Sequence, residues 1–387
     1  MQLSNAEAER LVRDGVGALR QGNAAAAQQA FGRVAASGRA NAQVWLLLAH
    51  AARQSGDNTA EDEALEALLK ADPASIRGLI MKGDRLAGTG DARAATSFYR
   101  RAVGLAAGAG ELPADLRAEV ERAERAMRDA ESAFRAHLNA ELASRGVAAP
   151  AGRFRQSLEI MTGARQVFFQ QPTEYFFPEL PHIQFYDPAL FPWAGALETQ
   201  ADAIRAECAA LLERRELFRP YLVTAADRPR SDVHGLADNP DWSSFYLWEH
   251  GAPVEENAAL CARTVAALEK VPLARISVRA PVVMFSWLKP GARIPPHTGA
   301  MNARLICHLP LIVPPGCGFR VGNEVREWEV GKLLVFDDTI EHEAWNDSGE
   351  DRVVLIFDVW RPELSEEERR SVAALFEAVD AFPGAAR

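Results

Sequence analysis

Hydrophobic and polar positions follow two different periods along this chain. Up to about residue 144, apolar residues recur at helical spacing between charged ones in an Ala-rich sequence. Aromatic residues and prolines replace that pattern between Gln166 and Trp193, where the helical period is lost. From Ile276 onward, short alternating runs are separated by Gly and Pro, which is typical of β-strands. The pattern predicts a helical N-terminal part followed by a β-rich domain.

A set of positions recurs every 34 residues in the first third of the chain, where Gly22, Gly56 and Gly90 mark successive turns. Seven positions before each of these glycines lies a small residue, and nine positions after it lies a large one: Gly15, Ala49 and Gly83, then Phe31, Leu65 and Tyr99. Small residues allow helices to cross closely, and large ones fill the remaining space. The alternative is an Ala-rich helical bundle with accidental periodicity.

This pattern resembles the tetratricopeptide repeat, in about three copies over residues 7–107. The resemblance implies a helical solenoid whose concave surface binds a peptide or a partner protein. Glu61 departs from the pattern, because the other two copies have alanine at that place. No catalytic chemistry is expected of this part.

The connecting region is predicted to be one long helix over residues 114–144, with a hinge at 148–152. We therefore expect helical repeats over residues 1–110, a connecting helix and hinge over 111–150, and a β domain with a C-terminal helix over 151–387. Two further helices are expected inside the β domain, over 195–216 and 256–270.

The strands predicted in the β domain cover residues 281–288, 302–312, 317–322, 325–330, 332–337 and 352–360. Alternation with period two places Ser286, Arg304, His308 and Arg352 on the interior faces of three of these strands. Buried charged groups need partners, and an anionic ligand would supply them. Several short antiparallel strands with Gly/Pro turns predict a double-sheet jelly roll.

Three segments carry a more specific resemblance: PHTGAMNARLICHLPL, FDDTIEHEAWN and DRVVLIFDVWRPEL. They resemble the aspartyl/asparaginyl β-hydroxylase family of Fe(II)- and 2-oxoglutarate-dependent oxygenases, over roughly residues 170–370. The resemblance implies a double-stranded β-helix (jelly-roll or cupin-like) domain with flanking helices and a metal ion inside the barrel. Tetratricopeptide-like repeats also occur beside the oxygenase domain in animal members of this family.

The resemblance implies that His297 and His342 bind Fe(II) and are the catalytic metal ligands. Most oxygenases of this kind add a carboxylate two residues after the first histidine, where this chain has Gly299. That departure is itself a trait of the aspartyl β-hydroxylases.

The resemblance also implies that Arg352, Ser286 and His308 hold 2-oxoglutarate, with the Arg352 guanidinium paired to the distal carboxylate. Arg304 matches an arginine on the substrate side. Ile306 stands where the animal members have a second arginine, which leaves the substrate open.

The activity that the resemblance implies is a dioxygenase reaction that consumes dioxygen and 2-oxoglutarate. The leading substrate is the β-carbon of an Asp or Asn residue in a peptide or protein, recruited by the repeats. One alternative is a lipid acyl chain or a small amino acid on the same scaffold. Another is chloride-dependent halogenation, because no carboxylate ligand is present, and a third is a repeat adaptor without catalysis.

Charge and composition narrow the partners and the compartment. The net charge of −10 and pI of about 5.4 disfavour nucleic acid and anionic membrane. The sequence has no apolar run near 20 residues and no recognisable leader, so we expect a cytoplasmic protein. The four scattered cysteines predict buried thiols. His234 lies in a polar loop suited to closing over a substrate.

Overall fold

The computed structural model describes residues 3–147, 152–223 and 236–382. The chain divides into two compact units, Met1–Ala164 and Arg165–Arg387. Residues 148–151 of the expected hinge lie outside the described residues, and so does the loop segment with His234.

The N-terminal unit is built from helices: α1 Asn5–Arg20, α2 Ala24–Ala36, α3 Ala42–Ser55, α4 Asn58–Ala71, α5 Ile76–Gly88, α6 Ala92–Gly108, α7 Ala114–Ser144 and α8 Gly152–Met161. A Ser, Asn or Asp side chain caps the N-terminus of each of the first six helices by accepting a backbone N–H hydrogen bond. The turn glycines Gly22, Gly56 and Gly90 have φ of 73°, 75° and 86°, a left-handed backbone conformation that is unfavourable for residues with a side chain.

The predicted pairs of small and large residues are in contact. A Cβ atom added to Gly15 would lie 2.6 Å from the Phe31 ring, and one added to Gly83 would lie 2.5 Å from the Tyr99 ring. Phe31 and Tyr99 are buried. The close approach explains why these positions are small, and it confirms the repeat prediction.

The departure at Glu61 is explained by a polar network inside the repeats. Glu61 is 3% exposed, and its Oε1 accepts a hydrogen bond from Arg53 Nε at 2.7 Å. Arg53 Nη1 also donates to Asp84 Oδ2 at 3.0 Å, and Arg122 donates to both Asp84 oxygens at 2.7 and 2.9 Å. The Tyr99 hydroxyl donates to Asp84 Oδ1 at 2.9 Å. Asp84 thus joins the second repeat, the third repeat and α7.

Replacing Asp84 by alanine is expected to weaken the N-terminal unit by about 1.5–3 kcal/mol, because two guanidinium groups and a partly buried hydroxyl lose their shared acceptor. Hydrogen exchange measured by mass spectrometry should show faster exchange in α3 to α7. Asp62→Ala is the control, since its carboxylate is more exposed and its two ion pairs are both 3.3 Å long. Equal exchange in the two variants would contradict the assigned role of Asp84.

The C-terminal unit combines strands with five helices among its described residues. The strands are β1 Phe185–Tyr186, β2 Arg219–Pro220, β3 Trp242–Glu249, β4 Ala252–Pro253, β5 Val283–Leu288, β6 Arg293–His297, β7 Arg304–Ile312, β8 Cys317–Val321, β9 Glu324–Arg326, β10 Leu334–Phe336, β11 His342–Asn346 and β12 Arg352–Trp360. The helices are α9 Ala194–Glu198, α10 Ala201–Leu212, α11 Glu255–Leu260, α12 Ala262–Leu268 and α13 Glu366–Asp380.

The strands form two antiparallel sheets. One has the order β1-β10-β7-β12-β5-β3-β2, with β4 paired to β3, and the other has the order β6-β11-β8-β9. From β5 to β8 and from β10 to β12, successive strands alternate between the sheets. The structure confirms helical repeats followed by an antiparallel β domain with flanking helices, while the jelly-roll description stays a prediction.

The alternation within β7 separates core from cavity as predicted. Leu305, Cys307 and Leu309 are fully buried in a core that also contains residues of α10 and α12. Arg304, Ile306 and His308 line a cavity on the other face. The polar side chains of β7 therefore share one face of the larger sheet.

Six strands were not predicted from the sequence: the two-residue strands β1, β2 and β4, and the longer strands β3, β6 and β11. Strand β6 contains Pro295 and Pro296, which are tolerated because β6 is at the edge of its sheet. Strand β11 is short and largely polar, so its alternation is weak. The predicted helix over 195–216 divides between α9 and α10, and the one over 256–270 divides at Cys261.

Two further expectations concern membrane helices and thiols. Among the described residues, every helix is too short or too polar to cross a bilayer. The four cysteines are free and buried, as predicted: Cys208, Cys261, Cys307 and Cys317.

Candidate active site

A cavity of about 380 Å³ is lined by residues from both sheets of the C-terminal unit. It brings together the residues to which the sequence assigned binding of the metal ion, of 2-oxoglutarate or of the substrate: Ser286, His297, Arg304, His308, His342 and Arg352. Its remaining wall is mostly apolar and includes Met284, Ile306 and Ile356.

The two candidate metal ligands are direct neighbours. His342 of β11 pairs in register with His297 of β6, and their ring centroids are 4.1 Å apart. His297 Nδ1 lies 2.8 Å from the carbonyl oxygen of Pro295, and His342 Nδ1 lies 3.1 Å from that of Ile340. Because a carbonyl only accepts hydrogen bonds, each Nδ1 carries a proton, so in the neutral ring it is Nε2 that has the lone pair a metal ion requires.

Burial keeps His342 in the neutral form. The pKa of His342 is lowered to about 3, first by burial and then by the neighbouring His297. A neutral imidazole is the form that binds a metal ion, so His342 needs no deprotonation before binding near neutral pH.

The space beside Gly299, where a side chain would project, is filled by the Asp338 carboxylate. A Cβ atom added to Gly299 would lie 2.0 Å from Asp338 Oδ2, so any side chain there would displace Asp338. The Gly299 N–H donates to the Asp338 carbonyl oxygen at 2.7 Å, which holds the two loops together. In the described parts of the chain, no group of three His, Cys, Asp or Glu side chains is arranged to hold a metal ion. The donor set therefore fits a metal held by two imidazoles.

Arg352 is a buried cation, and some of its N–H donors are not used in hydrogen bonds to described residues. It is 1% exposed, its Nε and Nη2 atoms have no hydrogen-bond partner among the described residues, and burial lowers its pKa to about 10. Its guanidinium carbon lies 4.8 Å from the centroid of the Trp328 ring. Unpartnered donors on a buried cation are suited to a ligand carboxylate.

His308 and Ser286 lie on the two strands that flank β12 in the larger sheet. Nδ1 of His308 has no hydrogen-bond partner in the described ranges, and burial together with the Arg352 charge lowers the His308 pKa well below its usual range. The Ser286 hydroxyl accepts a hydrogen bond from Trp242 Nε1 at 3.1 Å. A neutral imidazole and an oriented hydroxyl thus complete the polar surface around Arg352.

Arg304 lies between two buried carboxylates. Its Nη2 is 3.3 Å from Asp338 Oδ2, and its Nε is 3.4 Å from Asp358 Oδ2. Asp358 Oδ1 also accepts a hydrogen bond from the Val282 N–H at 2.7 Å. Burial raises the pKa of Asp338 to about 6. Arg304 is therefore both part of the cavity wall and part of an ion-pair cluster.

The aromatic and proline-rich segment contributes hydrogen bonds that the sequence did not predict. Backbone N–H groups of Gln171 and Thr173 donate to the carbonyl oxygens of Thr339 and Gly299, at 2.7 and 3.0 Å. These two carbonyls belong to the loops beside His342 and His297. The composition marked the segment as extended, but composition does not specify backbone partners.

The comparisons with known proteins concern this same domain. Residues 198–362 match the family described as Aspartyl/Asparaginyl beta-hydroxylase. The human aspartyl/asparaginyl beta-hydroxylase is 37% identical over 182 residues, which is 46% of this chain and 22% of that protein. Its mouse counterpart is 43% identical over 190 residues, which is 48% of this chain and 25% of that protein.

A bacterial relative is also similar. The ornithine lipid ester-linked acyl 2-hydroxylase of Rhizobium tropici is 39% identical over 189 residues, which is 48% of this chain and 63% of that protein. The chain thus spans about a quarter of the length of the two mammalian relatives and less than two thirds of the bacterial one. Together with the family match, these similarities confirm the resemblance carried by the histidine and arginine segments: residues 198–362 are similar to the aspartyl/asparaginyl β-hydroxylase family.

Proposed function

We propose that the C-terminal domain is an Fe(II)- and 2-oxoglutarate-dependent dioxygenase that hydroxylates an unactivated carbon. The observation that carries the proposal is the arrangement of the cavity. Two imidazole rings lie 4.1 Å apart in the same cavity as buried Arg352, whose Nε and Nη2 lack a partner among the described residues. The domain's similarity to a hydroxylase family supports the same reaction class.

His297 and His342 would hold the metal ion through their Nε2 atoms. The carbonyls of Pro295 and Ile340 fix the tautomer and the orientation of the two rings. With 2-oxoglutarate, bound Fe(II) supplies the oxidising chemistry by which dioxygen is used to hydroxylate a C–H bond. Asp338, held beside Gly299, would place a carboxylate next to this centre without taking the place of a ligand.

Arg352 would hold the distal carboxylate of 2-oxoglutarate through the Nε and Nη2 donors, which have no partner in the part of the chain that the structure describes. The Trp328 ring fixes the plane of the guanidinium, and Ser286 and His308 add neutral polar contacts. Burial strengthens this pairing because the cavity excludes most of the water that would screen it.

The leading substrate proposal is the β-carbon of an Asp or Asn residue in a peptide or protein, as the names of the mammalian relatives indicate. The helical repeats would recruit that substrate through their concave surface. The second candidate is a lipid acyl chain. The name of the bacterial relative and the apolar wall with Ile306 and Ile356 favour it.

Removing either histidine tests the proposal. We expect His297→Ala and His342→Ala each to weaken Mn(II) binding, measured by electron paramagnetic resonance, by about 10- to 100-fold or more. Formation of succinate from 2-oxoglutarate with Fe(II) should fall in parallel. His137→Ala, an exposed histidine of α7, is the matched control.

Unchanged Mn(II) affinity in both histidine variants would contradict the proposed metal site. Succinate formation that never exceeds a no-enzyme control, with any substrate mixture, would favour a repeat adaptor without catalysis. Incorporation of chloride instead of hydroxyl into a product would identify the halogenation alternative.

A further inference from the structure

Two polar atoms of residues that line the cavity, one donor and one acceptor, lack a partner among the described residues. They are Nη1 of Arg304 and Oδ1 of Asp338, and both are buried. The two side chains are joined through their other atoms, because Arg304 Nη2 lies 3.3 Å from Asp338 Oδ2. The ion pair therefore keeps one N–H and one carboxylate oxygen without a hydrogen bond to a described residue.

This pair lies on the side of the cavity that carries the proposed metal ligands. Asp338 is four residues before His342, and its carboxylate lies against Gly299, two residues after His297. Arg304 projects from β7 on the same face as Ile306 and His308. A substrate group bound to the pair would thus be held next to the reacting centre.

The charge around the pair is unfavourable for an anion. Asp338 and Asp358 both contact Arg304, at 3.3 and 3.4 Å, so two buried carboxylates face one guanidinium. The described residues that line the cavity include two arginines, Arg304 and Arg352, and no lysine. The proposed function assigns Arg352 to 2-oxoglutarate. A substrate carboxylate at Arg304 would add a third negative charge in a buried place.

Hydrogen-bonding capacity distinguishes the remaining candidates. A carboxylate and an ester each offer acceptors alone, whereas a carboxamide offers a carbonyl acceptor and an N–H donor. A carboxamide satisfies Arg304 Nη1 and Asp338 Oδ1 together. An ester would leave Asp338 Oδ1 buried without a donor, which is costly.

We propose that Arg304 and Asp338 recognise a carboxamide on the carbon next to the one that is hydroxylated, so that the domain prefers asparagine to aspartate. The inference rests on the proposed function and deepens it. Ile306, two residues from Arg304, supports this preference because it gives the cavity wall an apolar surface at that position. A second cation there would favour a carboxylate instead.

The reaction at this site is an ordinary hydroxylation. A β C–H bond of the substrate breaks, and a C–O bond forms with one atom of dioxygen. The other oxygen atom enters succinate as 2-oxoglutarate loses carbon dioxide. Oxidation of 2-oxoglutarate and of the substrate together supplies the four electrons that dioxygen takes up.

The test uses the full-length protein with Fe(II) and 2-oxoglutarate. Two pools of 15-residue peptides have randomised flanks and differ solely in a fixed central Asn or Asp. Succinate above the peptide-free background and a gain of one oxygen in product mass are measured. We expect the Asn pool to react at least about 10-fold faster. An ester-linked and an amide-linked acyl lipid form two further arms, since an acyl amide shares the carboxamide chemistry.

Changing Ile306 reverses the expected preference. Ile306→Arg adds a cation to the wall beside Arg304, so we expect the Asp pool to gain at least about 10-fold relative to the Asn pool. Ile306→Leu is the matched control and should keep the preference for Asn. A change in the ratio of the reaction rates for the two pools cannot be caused by a loss of folded protein, because such a loss lowers both rates equally.

Equal rates for the two pools, or faster reaction of the Asp pool, would overturn the inference. So would turnover of the ester-linked lipid without turnover of either peptide pool or of the amide-linked lipid. Peptide-free conversion of 2-oxoglutarate, absent in His342→Ala, reports the proposed function separately. If that conversion persists while neither pool reacts, the carboxamide assignment fails alone; if it is absent from the unaltered protein, both fail.

Discussion

Arg352→Met is expected to abolish 2-oxoglutarate-dependent turnover and, at the same time, to stabilise the protein without ligands. The guanidinium is buried in β12, with Nε and Nη2 lacking partners among the described residues, so the unliganded protein retains an incompletely satisfied buried charge. Replacing such a group by an apolar one of similar size removes that cost, and we expect a gain of about 1–3 kcal/mol.

Loss of the cation acts in the opposite direction on the liganded protein. Truncating one member of a buried, hydrogen-bonded charge pair costs about 2–5 kcal/mol, which corresponds to a loss of roughly 30- to 5,000-fold in apparent affinity for 2-oxoglutarate. The free energy of unfolding should therefore rise with 2-oxoglutarate concentration in the unaltered protein, but hardly in the variant.

Thermal unfolding with and without 2-oxoglutarate, together with succinate formation, checks both effects. Arg293→Met is the control, because Arg293 is exposed and pairs with exposed Asp347 at 2.5 Å. It should leave turnover unchanged and alter stability by less than about 1 kcal/mol. An Arg352→Met protein that still responds to 2-oxoglutarate would show that another residue binds the cosubstrate.

Alternation along the strands was enough to predict which polar residues line the cavity. Ser286, Arg304, His308 and Arg352 were each placed on an interior face by counting every second residue, and all four line the cavity. A fully buried strand has few other reasons to carry charge, so these residues stand out in an apolar context.

The two histidines were identified by resemblance rather than by alternation, because their strands were missed. Pro295 and Pro296 obscure β6, and β11 is too short to show a period. The contact between the rings depends on the pairing of β6 with β11, whose paired histidines are 45 residues apart in the sequence. Periodicity indicates on which face of a strand a residue lies, but it does not indicate which strand pairs with that strand.

The acidic residues that contact the site could not be predicted from the sequence for the same reason. Asp338 is one of several acidic residues close to His342 in the sequence, and no local pattern separates it from the others. Its role depends on Gly299 and Arg304, which lie on other segments. Asp358 shares its strand face with Arg352, but its pairing with Arg304 follows from β12 lying beside β7.

A second buried ion pair supports the loop that leads to His342. Asp337 and Arg361 are both 0% exposed, and Arg361 Nη2 donates to Asp337 Oδ2. Gln170 Nε2 donates to the same oxygen at 2.7 Å, while the Thr339 N–H and hydroxyl donate to Oδ1 at 3.0 and 2.6 Å. Asn302 Nδ2 in turn donates to Gln170 Oε1 at 2.9 Å. The carboxylate thus connects the residue that follows β12, the extended segment around Gln170 and the loop that precedes His342.

Asp337→Ala is expected to destabilise the C-terminal unit by about 3–5 kcal/mol, because it leaves the Arg361 charge buried without its carboxylate. Urea unfolding followed by tryptophan fluorescence suits the measurement, since seven of the eight tryptophans lie in this unit. Asp347→Ala removes an exposed carboxylate from an arginine and should cost less than about 1 kcal/mol. The double variant Asp337→Leu with Arg361→Met should recover much of the loss, because neither charge remains buried alone. A loss below about 1 kcal/mol for Asp337→Ala would mean that Gln170, Thr339 and the Pro181 carbonyl, which accepts from Arg361 Nη1 at 3.2 Å, hold this loop without the ion pair.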